Sequence, residues 1–288
     1  QYNADERYSH LILLVKNDKG YENLAKLNAI AFRDGFYFKP RIDYKLLEQY
    51  SEGLVCLSAC IAGTIPSYLL NDQDDEAEKD AIRLRDMFAP GDFYIEVQDH
   101  GLKEEKYVLP KLYALAKKIG VKTVATNDVH YLEKEDAMSQ DILMCVNMRK
   151  TYDDPDRMRF DTEEFYFKTY EEMQKLFDEE SLATTLEIMD KCNYNFEYGH
   201  YLFPRYIPET GDDPKTFILK LIDEGVKKHY PVVTKELTDR IDYELGVIER
   251  MGFIEYYLIV WDYINAARKM GISVGPGRGS GAGSVIAY

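Results

Sequence analysis

The run Val274-Gly275-Pro276-Gly277-Arg278-Gly279-Ser280-Gly281-Ala282-Gly283-Ser284-Val285-Ile286-Ala287 has the residue types that hold an anion. Glycine turns its N–H toward a ligand in conformations that other residues avoid. Successive N–H groups pointing one way form an anion-binding nest. The apolar flanks predict a strand entering the loop and a helix leaving it, whose N-terminus would add its dipole and free N–H groups. Ser280 and Ser284 offer hydroxyls, and Arg278 can fork two hydrogen bonds onto a phosphate. The ligand this implies is a polyphosphate. A Walker loop would carry Lys before its final Ser or Thr, where this chain has Gly283. The dinucleotide fingerprint G-x-G-x-x-G fails as well, because Gly277 and Gly279 are followed by Ala282. A flexible Gly/Ser linker would suit neither Arg278 nor the apolar borders.

A second set of residues could bind metal. Asp128 and His130 end a predicted strand, and period-two geometry puts both on one face. Carboxylate plus imidazole suits zinc, manganese or iron; the plainer reading is a surface turn with an ordinary His. Cys56 lies inside a predicted strand and reads as a core residue. Cys60 lies past that strand and is the better ligand. There is no second Cys pair, so a zinc ribbon is not expected. His10 precedes an apolar strand, as a strand cap or a ligand. His100 follows the strand at 93–97, while His200 and His229 read as structural.

Several of these segments, in order, resemble the bacterial replicative DNA polymerase III alpha subunits of the C family. The Gly/Ser run, with Phe253-Ile254-Glu255-Tyr256-Tyr257-Leu258-Ile259-Val260 before it, is similar to the start of their palm domain. Leu57-Ser58-Ala59-Cys60 and Ala125-Thr126-Asn127-Asp128-Val129-His130 look like metal-binding segments of their PHP (polymerase and histidinol phosphatase) domain. The resemblance implies an α/β fold: an incomplete PHP-type βα barrel lacking its first strands, then a mostly helical start of the palm. It implies a partial PHP domain at 1–197, a linker at 198–213 and the N-terminal part of the palm at 214–288.

The resemblance also implies DNA-templated DNA synthesis, with primer-template DNA, dNTPs, a sliding clamp and other replisome subunits as partners. It assigns Gly277, Arg278, Gly279, Ser280, Gly283 and Ser284 to the nucleotide's triphosphate. It assigns His10, Cys60, Asp128 and His130 to Zn2+ or Mn2+; His100 matches no ligand of the family and, from its place after a strand, reads as lying behind them or facing substrate. Mg2+ would serve polymerisation. The family's catalytic palm carboxylates lie beyond its Gly/Ser motif, and its PHP domain opens with a His-x-His pair not found here. The chain therefore reads as a piece of a longer subunit, inactive by itself in polymerisation. The PHP part could act as a 3′→5′ exonuclease. The alternatives are a PHP-family phosphoesterase, against which the Gly/Ser loop counts, and a non-catalytic PHP scaffold.

The elements that must position these residues follow from apolar patterning. Strands are expected at 10–16, 54–58, 93–97 and 121–125. Helices are expected at 21–32, 43–50, 75–87 and 108–118, then from Thr169, at 182–192, 217–229, 237–251 and 256–270. Strands alternating with helices predict parallel βα units, whose reactive groups sit at strand C-termini. The helix at 256–270 is apolar on most faces and is expected to be buried. The 288 residues suffice for two domains. No apolar run is long enough for a membrane span. Four Cys without a secretory pattern suggest a reducing, cytoplasmic setting. The formal charge of −15 suits a poor DNA binder, so the main DNA grip is expected elsewhere in the parent.

Overall fold

The computed structural model describes residues 8–200, 203–277 and 279–288. The chain divides into two compact units, Gln1–Phe196 and Glu197–Tyr288.

In the first unit, β1 (Ile12–Val15), β2 (Leu54–Leu57), β3 (Phe93–Val97) and β4 (Thr123–Ala125) form one sheet in that order. β2, β3 and β4 run parallel, as βα alternation predicts. β1 departs from the expectation: it pairs antiparallel to β2, with Ile12 opposite Leu57. β2 and β3 are buried throughout, which is why their sequences are continuous apolar runs.

Helices cover the sheet. α1 (Asp18–Arg33) is capped by Asn17, whose side chain accepts from the Gly20 N–H. α2 (Tyr44–Gln49) is capped in the same way by Asp43. Such caps contribute about 1 kcal/mol each. α3 (Thr64–Leu70) and α4 (Asp74–Met87) follow β2. α5 (Lys103–Ile119) starts five residues before the expected Val108. The helix carries Pro110 in its interior. The Gly120 backbone ends α5 at φ 71°.

α6 (Ala137–Met148), α7 (Tyr170–Met173) and α8 (Glu179–Lys191) complete the unit. Leu54, Ile65, Leu84, Ile95 and Val108 are among the side chains that form its core. Each such side chain contributes roughly 1.5–3 kcal/mol through burial. The two ends of the unit are tied together. The Asn193 N–H donates to the Lys16 carbonyl at 2.8 Å, and Tyr21 stacks on Tyr194 with centroids 4.7 Å apart. Lys16 and Lys191 both reach Asp92, at 2.5 and 3.4 Å.

The second unit holds α9 (Pro214–His229), α10 (Lys235–Arg250) and α11 (Ile254–Lys269). Asp213 and Thr234 cap the first two. Ile218, Leu245 and Leu258 form the buried cluster, and Lys215 of α9 pairs with Glu249 of α10 at 2.5 Å. The expectation that α11 is buried on most faces does not hold: Leu258 is its one buried residue, and Tyr256 and Tyr263 are exposed. A cluster of this size has too little surface to cover an all-round apolar helix. The Gly/Ser run also differs from expectation. No strand precedes it among the described residues, Gly279–Gly283 forms a 3-10 turn, and turns rather than a helix follow.

Candidate functional site

Three of the expected residues sit at one edge of the sheet for a topological reason. β2, β3 and β4 are parallel, so their C-terminal ends face the same way. Cys60, His100 and Asp128 each lie three residues past such an end, at Leu57, Val97 and Ala125. His10 reaches this edge from the antiparallel side. Its N–H donates to the Ala62 carbonyl at 3.0 Å, and it bridges to Gly63.

Gly63 makes this fold-back possible. A Cβ there would stand 2.2 Å from the Ser58 carbonyl oxygen. With hydrogen at that position, the 58–63 segment curls until the Cys60 Sγ lies 3.7 Å from His10 Nδ1. Asp128 and His130 form a second pair, Oδ1 to Nε2 at 3.6 Å. Asp128 has φ 39° and Ala59 φ 65°, so both loops hold a non-glycine residue in the left-handed region. The structure thus joins His10 with Cys60 and Asp128 with His130. Among the described residues no three His, Cys, Asp or Glu side chains converge as a metal site.

Between the strand ends lies a polar network that the sequence reading did not single out. The Glu96 N–H donates to Ser58 Oγ at 2.8 Å. Glu96 Oε1 accepts from Gln98 Nε2 at 3.0 Å and from the Thr126 hydroxyl. Gln98 Nε2 also donates to Thr126 Oγ1 at 2.9 Å. Among the described residues, the outer oxygens Glu96 Oε2 and Gln98 Oε1 are buried without a partner. Glu96, Gln98 and Cys60 are among the residues lining a void of about 10 Å³, room for roughly one water. The signal available in the sequence was an acid inside the apolar run Phe93–Val97.

The electrostatics of this edge are negative. Burial pushes the Glu96 carboxyl up, and the charge of Asp128 adds to it against hydrogen bonds from Thr126 and Gln98. Burial pushes the Cys60 thiol up too, with Asp128 and Glu96 adding to the shift. A cation would relieve each of these costs. Thiolate, imidazole and carboxylate are donor types that a divalent cation takes, and here they stand as two pairs.

His100 is buried and fixed at both ring nitrogens. Nδ1 lies 2.7 Å from Glu105 Oε1, and Nε2 lies 2.9 Å from the Asn127 carbonyl. The other oxygen of Glu105 accepts the His100 backbone N–H at 2.7 Å. The ring stacks on Phe165 at 4.1 Å. Both facing atoms are acceptors, so the doubly protonated ring satisfies both. Burial works against that charge, while Glu105 and the Asn127 carbonyl outweigh it and raise the His100 pKa. His100 thereby ties the loop after β3 to the loop that carries Asp128.

In the second unit, Gly277 and Gly279 take φ of 105° and 73°, and Ser280 and Gly283 are exposed. Arg278, assigned above to phosphate, lies outside the described residues. Ser284 is engaged: its hydroxyl donates to Glu244 Oε2 at 2.7 Å, and the Ile286 N–H reaches the same oxygen at 3.2 Å. Arg240 Nε donates to Glu244 Oε1 at 2.6 Å. A carboxylate thus sits on the Ser284 hydroxyl, a donor expected from the sequence to serve a phosphate.

Comparison with known proteins follows the same division. Residues 1–100 match the PHP domain, and residues 216–288 match the bacterial DNA polymerase III alpha NTPase domain. The chain is 46% identical over 291 residues to DNA polymerase III subunit alpha of Treponema pallidum, covering 100% of the chain and 25% of the relative. Identity to the same-named protein of Borreliella burgdorferi is 43%, over 97% of the chain and 25% of the relative. For Thermus aquaticus it is 38%, over 99% and 28%. The chain spans about a quarter of the length of these relatives.

Proposed function

Because the chain is related along its whole length to a part of the DNA polymerase III alpha subunits, we propose that it serves in a DNA-directed DNA polymerase. The observation that carries this is the pair of family matches, PHP then polymerase III alpha, in one chain. In this reading the domains run 1–197, 198–213 and 214–288, and the division of the chain after Phe196 supports it. The first is a PHP-type βα barrel in part, supported by its parallel strands. Primer-template DNA, dNTPs with Mg2+, a sliding clamp and other replisome subunits are the partners, in the cytoplasm. Among the described residues no helix is long and apolar enough to cross a membrane.

Gly277, Gly279, Ser280, Gly283 and Ser284, with Arg278 from the sequence, cradle the triphosphate of the incoming nucleotide. Their N–H, hydroxyl and guanidinium donors hold it while the primer 3′ hydroxyl attacks the α-phosphate and pyrophosphate leaves. Glu244 holds Ser284 in the absence of nucleotide.

At the sheet edge His10, Cys60, Asp128 and His130 hold Zn2+ or Mn2+, and His100 orients the loop bearing Asp128. Such an ion supplies hydroxide at neutral pH and clamps a phosphodiester. Glu96 and Gln98, which line the void beside Cys60, keep that part of the edge polar. The activity this supports is 3′→5′ exonucleolytic. Elemental analysis of the purified chain and of its Cys60→Ala and Asp128→Ala variants tests it. Zinc or manganese in the parent and its loss in both variants is the expected result. Metal-free protein after supplementation would leave a non-catalytic scaffold, a reading that the separation of the donors into two pairs favours.

A further inference from the structure

We propose that the end of α1 and the loop after it, residues 32–41, form a resting place for unpaired DNA that guides a strand end toward the His10–Cys60 pair. The inference rests on the reading of that edge as a phosphodiester site. Phe32, Phe36, Tyr37 and Phe38 are 57, 57, 41 and 81% exposed, an unusual density of exposed rings. Phe32 and Phe36 have centroids 6.4 Å apart, and Tyr37 and Phe38 meet edge-on at 4.7 Å.

Phe38 is held out rather than loosely exposed. Its φ is 59°, a conformation costly for an aromatic residue. The Tyr37 N–H donates to the Lys39 carbonyl at 3.0 Å and closes a tight turn around it. Gly35 lets the loop fold onto itself, since a Cβ there would meet the Arg41 carbonyl oxygen at 2.0 Å. A strained, preformed tip with an apolar ring at its apex is suited to a ligand that offers a flat face.

Charge and position say which ligand. Arg33 pairs with Asp34 at 2.7 Å, which leaves the Lys39 ammonium to set the sign at the tip, in a chain whose formal charge is −15. A positive tip on a negative protein suits a polyanion. Rings beside cations match the stacked bases and phosphates of a single strand, whereas a duplex hides its base faces. A chain of contacts leads to the candidate metal edge. Lys39 Nζ lies 4.8 Å from the Tyr8 ring, Tyr8 stacks on His10 at 6.5 Å, and His10 lies 3.7 Å from Cys60 Sγ. A base on Phe38 would leave its neighbouring phosphate close to Lys39, with the strand end pointing at His10.

The test is fluorescence anisotropy of the whole chain at low salt, with a labelled oligothymidylate of about 12 nucleotides, within the range of single-strand sites. Phe38→Gly removes the ring and relieves the left-handed backbone, so folding survives; Phe38→Trp keeps a stacking face. The glycine variant should bind about fivefold to a hundredfold more weakly, the size of one lost base stack. The tryptophan variant should bind like the parent, and a duplex should compete poorly. Equal binding by the glycine variant overturns the proposal. So does a parent chain that binds no oligothymidylate, which would give the tip to a protein surface. Metal content is read separately. If the parent holds no metal yet loses the strand on Phe38→Gly, the single-strand contact stands and the exonuclease reading alone falls.

Discussion

The carboxylate of Glu244 on α10 accepts the Ser284 hydroxyl at 2.7 Å, across forty residues of sequence. The Ile286 N–H shares the same oxygen. If the Gly/Ser run takes phosphate, Glu244 competes with the nucleotide for those donors. Glu244→Gln keeps an acceptor and removes the negative charge, so dATP should bind several-fold more tightly in equilibrium dialysis. Weaker binding would mean that Glu244 builds the loop and does not compete for it.

Glu244 also predicts an acid response. Burial pushes its carboxyl up, but Ser284, Arg240 and the Ile286 N–H outweigh burial and leave it below the usual value. A depressed pKa stabilises the fold above the ordinary 4.5 and loses that contribution as pH falls through the lowered value. Near-UV signals from Trp261 in the second unit should therefore weaken below about pH 4.5, and less so in Glu244→Gln.

Glu187 gives the first unit a similar dependence with a stated range. Hydrogen bonds from Lys122 first, then Tyr94 and Lys191, hold its carboxyl at about 2 against burial. Its contribution is complete above the usual 4.5 and drains away between 4.5 and about 2. Urea midpoints of the parent and Glu187→Gln should differ at neutral pH and converge in acid. A constant difference would remove Glu187 from the account.

Glu105→Ala should cost about 2–5 kcal/mol by urea denaturation. It leaves the buried His100 N–H and Nδ1 without acceptors, at roughly 1–3 kcal/mol each. Glu105→Gln retains one acceptor and should cost less. Equal losses would point to packing and not to the hydrogen bonds.

Gly63→Ala should separate fold from site. The added Cβ forces the 58–63 segment away from Ser58, at about 1–3 kcal/mol. Because Cys60 rides on that segment, metal content should fall although every candidate ligand is intact. Gly120→Ala is the control: its φ is positive, unlike that of Gly63 at −72°, but nothing lies within 4 Å. It should lose stability and keep metal.

Much of this architecture was legible where burial is two-sided. β2 and β3 are continuous apolar runs, and the sequence places their ends within a residue of Leu57 and Val97. The antiparallel pairing of β1 was not legible, because pairing direction is set by distant chain and leaves no local mark. α3 escaped notice because it is short and carries Pro66. α6 did so because its apolar residues do not mark a buried face: Met138, Ile142, Leu143 and Val146 are all exposed. At the candidate site, residue types together with the family resemblance named His10, Cys60, Asp128 and His130. Only the three-dimensional packing shows that they fall into two pairs, with Glu96 and Gln98 between the strand ends.

The knot between Lys16 and residues 191–194 has a consequence for biosynthesis. β1 leaves the ribosome early, while Lys191, Asn193 and Tyr194 emerge nearly the whole unit later. At about 5–20 residues per second, roughly ten seconds or more separate the two. Through that interval the Leu13–Val15 stretch lacks its final cover, and the nascent chain offers an apolar strand to any neighbour on the same message. A clamp that secures the finished unit thus leaves a window in which chaperone capture decides the yield. Silent codon changes that slow translation just before residue 191 should lengthen that window and raise the aggregated fraction without altering one amino acid.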